Sequence, residues 1–234
     1  MEKINVIDGF LNVNKPSGIT SYDVIRFIKK IPGFSSKIGH TGTLDPIASG
    51  VLVICIGSAT KKAGKFLKME KEYLATMLLG FSTDTDDIQG KIISKVEVLQ
   101  DALKEDIIHN TVNSFTGEIE QIPPSVSALR KHGTRLYKLH RQGRTIVPEP
   151  RKVHIYEIEI KKIEIPRIVF RVVCSSGTYI RALCRDIGKK LGYGAVQESL
   201  VRLRVGNFRI EDSVELNQLN KDTLSKYIIP VSVV

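Results

Sequence analysis

Long hydrophobic runs are absent. No apolar stretch approaches the ~20 residues that a transmembrane helix requires, and the amino-terminal MEKINVIDGF lacks the pattern of a signal peptide. The two absences together set the expectation of a cytoplasmic protein with no membrane partner. Cysteine is scarce: Cys55, Cys174 and Cys184 form no CxxC and no Cys/His cluster, which argues against a disulfide scaffold and against a zinc site. Each lies in an apolar or helical run, where cysteine behaves as a small buried hydrophobe. Neither a metal nor a cofactor is expected.

Acidic residues are missing in two informative places. Between Asp23 and Glu70 the one acidic residue is Asp45. A glycosidase needs two carboxylates, so a lone one suits nucleophilic or electrostatic chemistry better, unless folding supplies a second. From Gln121 to Val147 nothing acidic offsets Arg130, Lys131, His132, Arg135, Lys138, His140, Arg141 and Arg144, which surround Tyr137. A charge run of this kind is either a solvated face or a phosphate-contacting one, and the lack of compensation favours phosphate. Overall Lys and Arg outnumber Asp and Glu by 35 to 25, a net charge of +10 that attracts a polyanion, nucleic acid first. With 234 residues, 42% of them hydrophobic, the chain can bury a sizeable core as one large domain or two small ones.

What is present centres on Gly39-His40-Thr41-Gly42-Thr43-Leu44-Asp45-Pro46-Ile47-Ala48-Ser49-Gly50, which feeds the apolar run Val51 to Ile56. The three glycines permit tight turns and close ligand approach, and the run after them reads as a buried strand. Pro46 biases Asp45 to extended geometry, so its carboxylate is mounted on a braced segment. An Asp-Pro turn with a structural histidine nearby is the plainer reading, and the residues alone leave both open.

Upstream, Gly9–Asn14 reads as a strand. Lys15-Pro16-Ser17-Gly18 reads as a turn whose lysine is either solvated or functional. Thr20 or Ser21 then caps a helix through Val24, Ile25 and Ile28. Lys61 to Lys68 is helical; the stretch from Gly57 resembles a phosphate-binding loop, but its spacing is wrong and Phe66 stands where Ser or Thr is required. Lys71 to Gly80 alternates as a strand with Tyr73, Ala75, Met77 and Leu79 on one face. Asp84, Asp86 and Asp87 imitate a calcium loop whose glycine falls one place late and whose final Glu position is Lys95, so calcium is not expected. Residues 106–115 suggest a helix, 152–165 and 167–174 a hairpin turning at Pro166, and Tyr179 to Ile187 a helix. In the last of these Arg181 either faces an anion or pairs with a carboxylate. Ser199 to Phe208 reads as a final strand. No repeat or linker interrupts the chain, and strands and helices mix without strict βαβ alternation. The expected fold is α+β, a mixed, largely antiparallel sheet flanked by helices.

Taken in order, six motifs resemble one family, the tRNA pseudouridine synthases of the TruB type. They are Lys15-Pro16-Ser17-Gly18-Ile19-Thr20-Ser21, Gly39 to Pro46, Thr83-Asp84-Thr85-Asp86-Asp87, Gln121 to Ala128, Arg135-Leu136-Tyr137, and Gly177-Thr178-Tyr179-Ile180-Arg181. The resemblance spans nearly the whole chain. It implies the pseudouridine synthase catalytic fold as a single domain over 1–234, with a basic RNA-gripping arm inserted at 120–150. The implied activity is that of an isomerase converting uridine 55 of the tRNA T-loop to pseudouridine without cofactor or metal. Asp45 is then the family's essential aspartate, and Arg181 matches the arginine that pairs with it, holding a carboxylate of ordinary pKa, roughly 4, ionised when RNA excludes water. Tyr73 matches the tyrosine that stacks on the target base and removes the late proton. Tyr179 and Leu200 match residues lining the uracil pocket. His40 matches the histidine that enters the T-loop as the nucleotide flips out, which costs a few kcal/mol of unstacking. Lys15 and Asp87 match supporting positions, and Arg130, Lys131, Arg141 and Arg144 fall in the RNA-gripping arm.

Family members commonly continue into a small RNA-binding module of the PUA type, and this sequence ends soon after Ile228-Ile229-Pro230, so such a module is not expected. The implied partner is the tRNA T-arm, bound by a monomer with no obligate protein partner. Two rivals stand beside this reading: a non-catalytic tRNA-binding chaperone, and an enzyme of the same fold guided by a separate RNA and partner proteins.

Overall fold

The computed structural model describes residues 8–99, 103–127, 129–131, 133–144 and 146–233. It divides into two compact units, one comprising the chain up to Tyr73 together with Val201 onward, the other Leu74–Leu200. The amino-terminal heptapeptide read for a leader, and His132 of the basic run, lie outside the described residues.

The first unit opens with strand β1 (Gly9–Lys15), followed by helix α1 (Ser21–Lys29), β2 (Ile38–Thr41) and β3 (Ser49–Ile56). β1 pairs antiparallel with β3 from Gly9↔Ile56 to Lys15↔Gly50. β3 is apolar on both faces, with Val51 through Ile56 fully buried as a continuous hydrophobic run demands, whereas β1 alternates Phe10, Leu11 and Val13 with Asn12 and Asn14. Thr20 caps α1: its hydroxyl accepts from the Asp23 N–H at 3.1 Å while the Asp23 carboxylate accepts from the Thr20 N–H at 2.9 Å. Such a reciprocal cap contributes about 1 kcal/mol, and it leaves Ser21 available for another partner. The sequence from Gly39 reads as loop, yet Ile38–Thr41 is a strand paired with the far edge of β3, His40 opposite Ile54. Four residues, one of them glycine, carry too little pattern to announce a strand, and the exposed donors and acceptors of β3 decide it. A 3₁₀ turn (Gly57–Lys62) and helix α2 (Ala63–Lys68) follow, and β4 (Lys71–Leu79) leaves this unit for the next.

The second unit continues with the hairpin β5 (Phe81–Thr83) and β6 (Ile92–Lys95), helix α3 (Glu105–Asn113) and β7 (Gly117–Gln121). The short hairpin β8 (Arg130–Lys131) and β9 (Thr134–Arg135) then leads into helix α4 (Leu136–Arg141). β10 (Arg151–Glu164) and β11 (Arg167–Cys174) form the long hairpin turning at Pro166, and helix α5 (Ile180–Lys190) follows. Within this unit the strand order is β4-β11-β10-β7. β10 is antiparallel to both neighbours, opposing Glu164 to Arg167 and Arg151 to Gln121.

Strand β12 (Ala195–Val205) returns the chain to the first unit, where β13 (Phe208–Arg209), β14 (Val214–Glu215) and β15 (Ile228–Pro230) complete it. The strand expected through Phe208 therefore ends at Val205, because Gly206 turns the chain with φ +54°. β12 runs parallel to β3, with Arg202 beside Gly50, and β14 and β15 pair with opposite halves of β1. The rings of Phe10, Phe66 and Phe208 meet at 4.7–6.2 Å and, with Val51, Val53, Cys55 and Val205, form the core under α2. All three cysteines are free and buried. The fold is α+β with a mixed, mostly antiparallel sheet, as the sequence predicts.

Candidate active site

In the first unit the turn after β1 is stapled to the segment that carries Asp45. Ser21 Oγ accepts from the Leu44 N–H at 2.8 Å and donates to the Leu44 carbonyl at 3.0 Å. The Gly18 N–H donates to the Pro46 carbonyl at 2.8 Å, and Ser17 Oγ to the Ile47 carbonyl at 2.8 Å. The Ala48 N–H closes back on the Asp45 carbonyl at 3.0 Å. The backbone is thus tied on both sides of Asp45, whose side chain is half-buried. The Lys15–Ser21 motif is a clamp for the aspartate loop.

Two cations lie beneath that loop. Lys15 is fully buried, and its ammonium donates to the carbonyls of Ile19 at 2.7 Å, Pro16 at 2.8 Å and Pro46 at 3.4 Å. Burial and the nearby Arg202 cation lower its pKa to about 8, against the opposing pull of Asp45 and Asp23. Arg202 is 2% exposed; its Nε donates to the Val51 carbonyl at 2.7 Å and its Nη2 to the Gly42 carbonyl at 3.0 Å. Burial opposes its charge, while Tyr73, which it hydrogen-bonds, and the Asp45 carboxylate favour it. Lys15, Asp45 and Tyr73 are therefore gathered around one arginine. Tyr73 itself is buried on the core-facing side of β4, and His40 is half-buried at the centre of β2.

The second unit assembles another set. Arg181, on the first turn of α5, is 4% exposed; its Nη1 donates to the Thr85 carbonyl at 2.8 Å and lies 3.6 Å from Asp87 Oδ2, and its Nη2 donates to the Val126 carbonyl at 3.0 Å. Asp87 Oδ1 accepts from Thr85 Oγ1 at 2.8 Å and the Gln89 N–H at 3.0 Å. Asp86, with φ +61°, pairs with Arg185 at 2.8 Å, and burial raises its pKa despite that cation. Asp84 accepts from the Lys91 N–H at 2.8 Å. Protein donors thus occupy the three carboxylates that imitate a calcium loop.

Tyr179 is positioned from two sides. Its N–H and carbonyl are bonded by the side-chain amide of buried Gln121 at 2.8 and 3.1 Å. The Arg151 guanidinium lies 4.7 Å over its ring while bonding the Gly177 carbonyl. Leu200 is buried on β12.

The basic segment leaves β7 at Gln121 and re-enters β10 at Arg151. Arg135, Lys138, Arg141 and Arg144 are exposed there, Lys131 is half-buried, and His140 lies 3.7 Å from Asp84. Arg130 belongs to β8.

Arg202, Gln121 and Arg151 are the positioning residues that sequence reasoning passed over. A signal existed for Arg202: it lies two residues after Leu200, so strand alternation puts it on the face assigned to the pocket. Gly50 supports it, since at φ +100° a Cβ there would meet the Arg202 carbonyl at 2.3 Å. Among the described residues, no group of three or more His, Cys, Asp or Glu could hold a metal ion, and no helix is long and apolar enough to cross a membrane.

Residues 29–180 match the family model described as TruB family pseudouridylate synthase (N terminal domain), and 181–232 match the tRNA pseudouridylate synthase B C-terminal domain. The proteins named tRNA pseudouridine synthase B from Clostridium tetani and Clostridium novyi are 49% and 51% identical, over 96% of this chain and 76% of their own. Among solved structures, a Cbf5-Nop10-Gar1 complex aligns at TM-score 0.69 with 35% identity over 92% of this chain. An archaeal box H/ACA sRNP Nop10-Cbf5 complex aligns at 0.68 with 32% identity over 95%. The chain spans 54% and 58% of those two proteins. With a family model covering well over half of its length and relatives half identical to it, the chain belongs to the TruB family of pseudouridylate synthases.

Proposed function

We propose that this protein isomerises uridine 55 of the tRNA T-loop to pseudouridine, with Asp45 as the essential group. One observation carries the reading: a single carboxylate, clamped through the backbone on both sides, stands in the field of buried Lys15 and of the buried Arg202 that also bonds Tyr73. Relatives at about half identity are named for this activity.

The chemistry needs little else. The N1–C1′ bond breaks and its electron pair leaves with the base, while Asp45 meets the charge developing at the sugar, covalently or as an ion pair. The uracil turns and C5 bonds to C1′. The proton left on C5 departs, its electron pair restores the C5=C6 double bond, and N1 takes up a proton. Atoms and electrons balance without a redox partner. In this reading Tyr73 stacks on the base and accepts the C5 proton, Tyr179 and Leu200 line the uracil site, and His40 fills the T-loop once the base has flipped. Arg181 is the cation matched to Asp45, with Asp87 and Lys15 in support. Lys131, Arg141 and Arg144, with Arg130, grip phosphate. The protein acts in the cytoplasm as a monomer on the T-arm, with no protein partner.

The test is to map pseudouridine in an unmodified tRNA transcript and in a bare T-arm hairpin, each incubated with the purified protein or with Asp45→Ala. Pseudouridine at the T-loop uridine with the wild type alone, and tRNA bound equally by both, is the expected result. tRNA bound and refolded but unmodified would give the chaperone reading instead. Reaction only after addition of a partner fraction would give the guided one.

A further inference from the structure

Arg202 has no assigned part in the proton transfers set out above. It is among the largest fully buried side chains of the protein. It could have been neutralised by a single carboxylate; instead it bonds the carbonyls of Gly42 and Val51, which bracket the Asp45 segment, and reaches the phenol of Tyr73. Guanidinium is a donor only, so in the hydrogen bond between them the phenol oxygen accepts. A desolvated cation donating to a phenol stabilises phenolate over phenol. The arginine cannot drift, because Gly50 brings β3 against its backbone closely enough to exclude any side chain.

We infer that Arg202 is the positioning residue that readies Tyr73 to accept the C5 proton while holding the loop of Asp45 in register with it. Wild-type Tyr73 loses its proton to solvent base, Arg202 stabilises the resulting phenolate, the C5 proton passes to that oxygen, and the pair it leaves behind restores the pyrimidine. The inference rests on the proposed isomerisation.

The charged groups around the tyrosine and the arginine are Asp45 on the loop, Lys15 at the end of β1 and, through Lys15, Asp23 on α1. Lys15 titrates at about 8, inside the window that a phenol assay must scan, so a pH shift alone does not identify the group.

The experiment compares single-turnover pseudouridine formation from pH 6 to 10 for wild type, Arg202→Lys and Arg202→Gln, with tRNA affinity and thermal stability measured on each. Arg202→Lys carrying fluorotyrosine, a more acidic phenol, at position 73 completes the set. The expected result is a fall of roughly 10- to 100-fold near pH 7.5 at unchanged tRNA affinity. The loss should shrink as pH rises, and fluorotyrosine should restore the rate of Arg202→Lys. A folded, tRNA-binding Arg202→Lys with wild-type rate, or a loss that neither pH nor fluorotyrosine alters, overturns the inference. If Arg202→Gln does not fold, the lysine variant decides. Asp45→Asn run in parallel separates the two levels: retained activity there defeats the isomerisation reading itself, whatever Arg202 does.

Discussion

The stapled loop around Asp45 and the basic segment after Gln121 use the same side chains in opposite ways. Lys15 and Arg202 are withdrawn from water and spend their donors on backbone carbonyls, which fixes a loop and concentrates positive charge near one carboxylate. Arg135, Lys138, Arg141 and Arg144 stand in solvent on a two-residue hairpin, a short helix and the residues after it. A buried cation is costly unless its donors are satisfied, so its value lies in geometry; an exposed cation costs nothing and its value lies in long-range attraction. The comparison predicts that damage to the loop stops chemistry or folding, whereas damage to the arm weakens capture and leaves chemistry alone.

The largest effect is expected at the carboxylate: Asp45→Ala should lower single-turnover pseudouridine formation by roughly 10³-fold or more with tRNA affinity retained. Comparable losses of rate and affinity would erase the distinction between the two regions. Next comes Gly50→Ala. It forces a side chain into the Arg202 backbone at a φ of +100° and should destabilise the fold by about 3 kcal/mol, read from urea unfolding. Unchanged stability would mean that β3 and β12 are free to separate there.

On the arm, Arg141→Gln with Arg144→Gln should weaken tRNA binding roughly tenfold at physiological salt. The pair should also flatten the slope of log affinity against log salt by about 1.4–1.8, with the rate for bound tRNA unchanged. A slope that does not move would remove phosphate contact from the arm.

A gradual effect, spread along the pH axis, is expected at Lys15. Its pKa in the fold, about 8, lies below the ordinary 10.5, so between those values the unfolded chain holds more protons than the native one. Stability credited to this residue therefore rises with pH across that window, by at most about 1.4 kcal/mol per pH unit, and the cost is fully present below pH 8. The stability difference between wild type and Lys15→Met should shift in favour of the wild type between pH 8 and 10. A constant difference would show an ammonium whose three carbonyl partners fully compensate its burial.

Much of this was legible without coordinates, for reasons that particular elements make plain. Val51 to Ile56 announces a buried strand, Tyr73 to Leu79 alternates, and Pro166 marks the long hairpin, because period and punctuation are local properties. Asp45 and Arg181 were singled out by motif and Tyr73 by the family resemblance, and the roles given to them belong to the proposed function. β2 was missed because its pairing partners lie 12 to 18 residues further along the chain, and Lys15 was left undecided because a turn lysine is usually wet.

The sequence by itself thus determined the longer elements, the lone carboxylate between Asp23 and Glu70 and the excess of positive charge, all of which follow from nearest neighbours and composition. Only the tertiary structure decided that Ser17, Gly18 and Ser21 clamp the aspartate loop. Only there does Gln121 hold the backbone of Tyr179 and does Arg202, rather than any residue adjacent in sequence, lie beneath Asp45 and Tyr73. The physical reason is that burial turns a charge from a solvated ornament into a fixed donor, and burial is a property of the packed chain, invisible at any single position of the sequence.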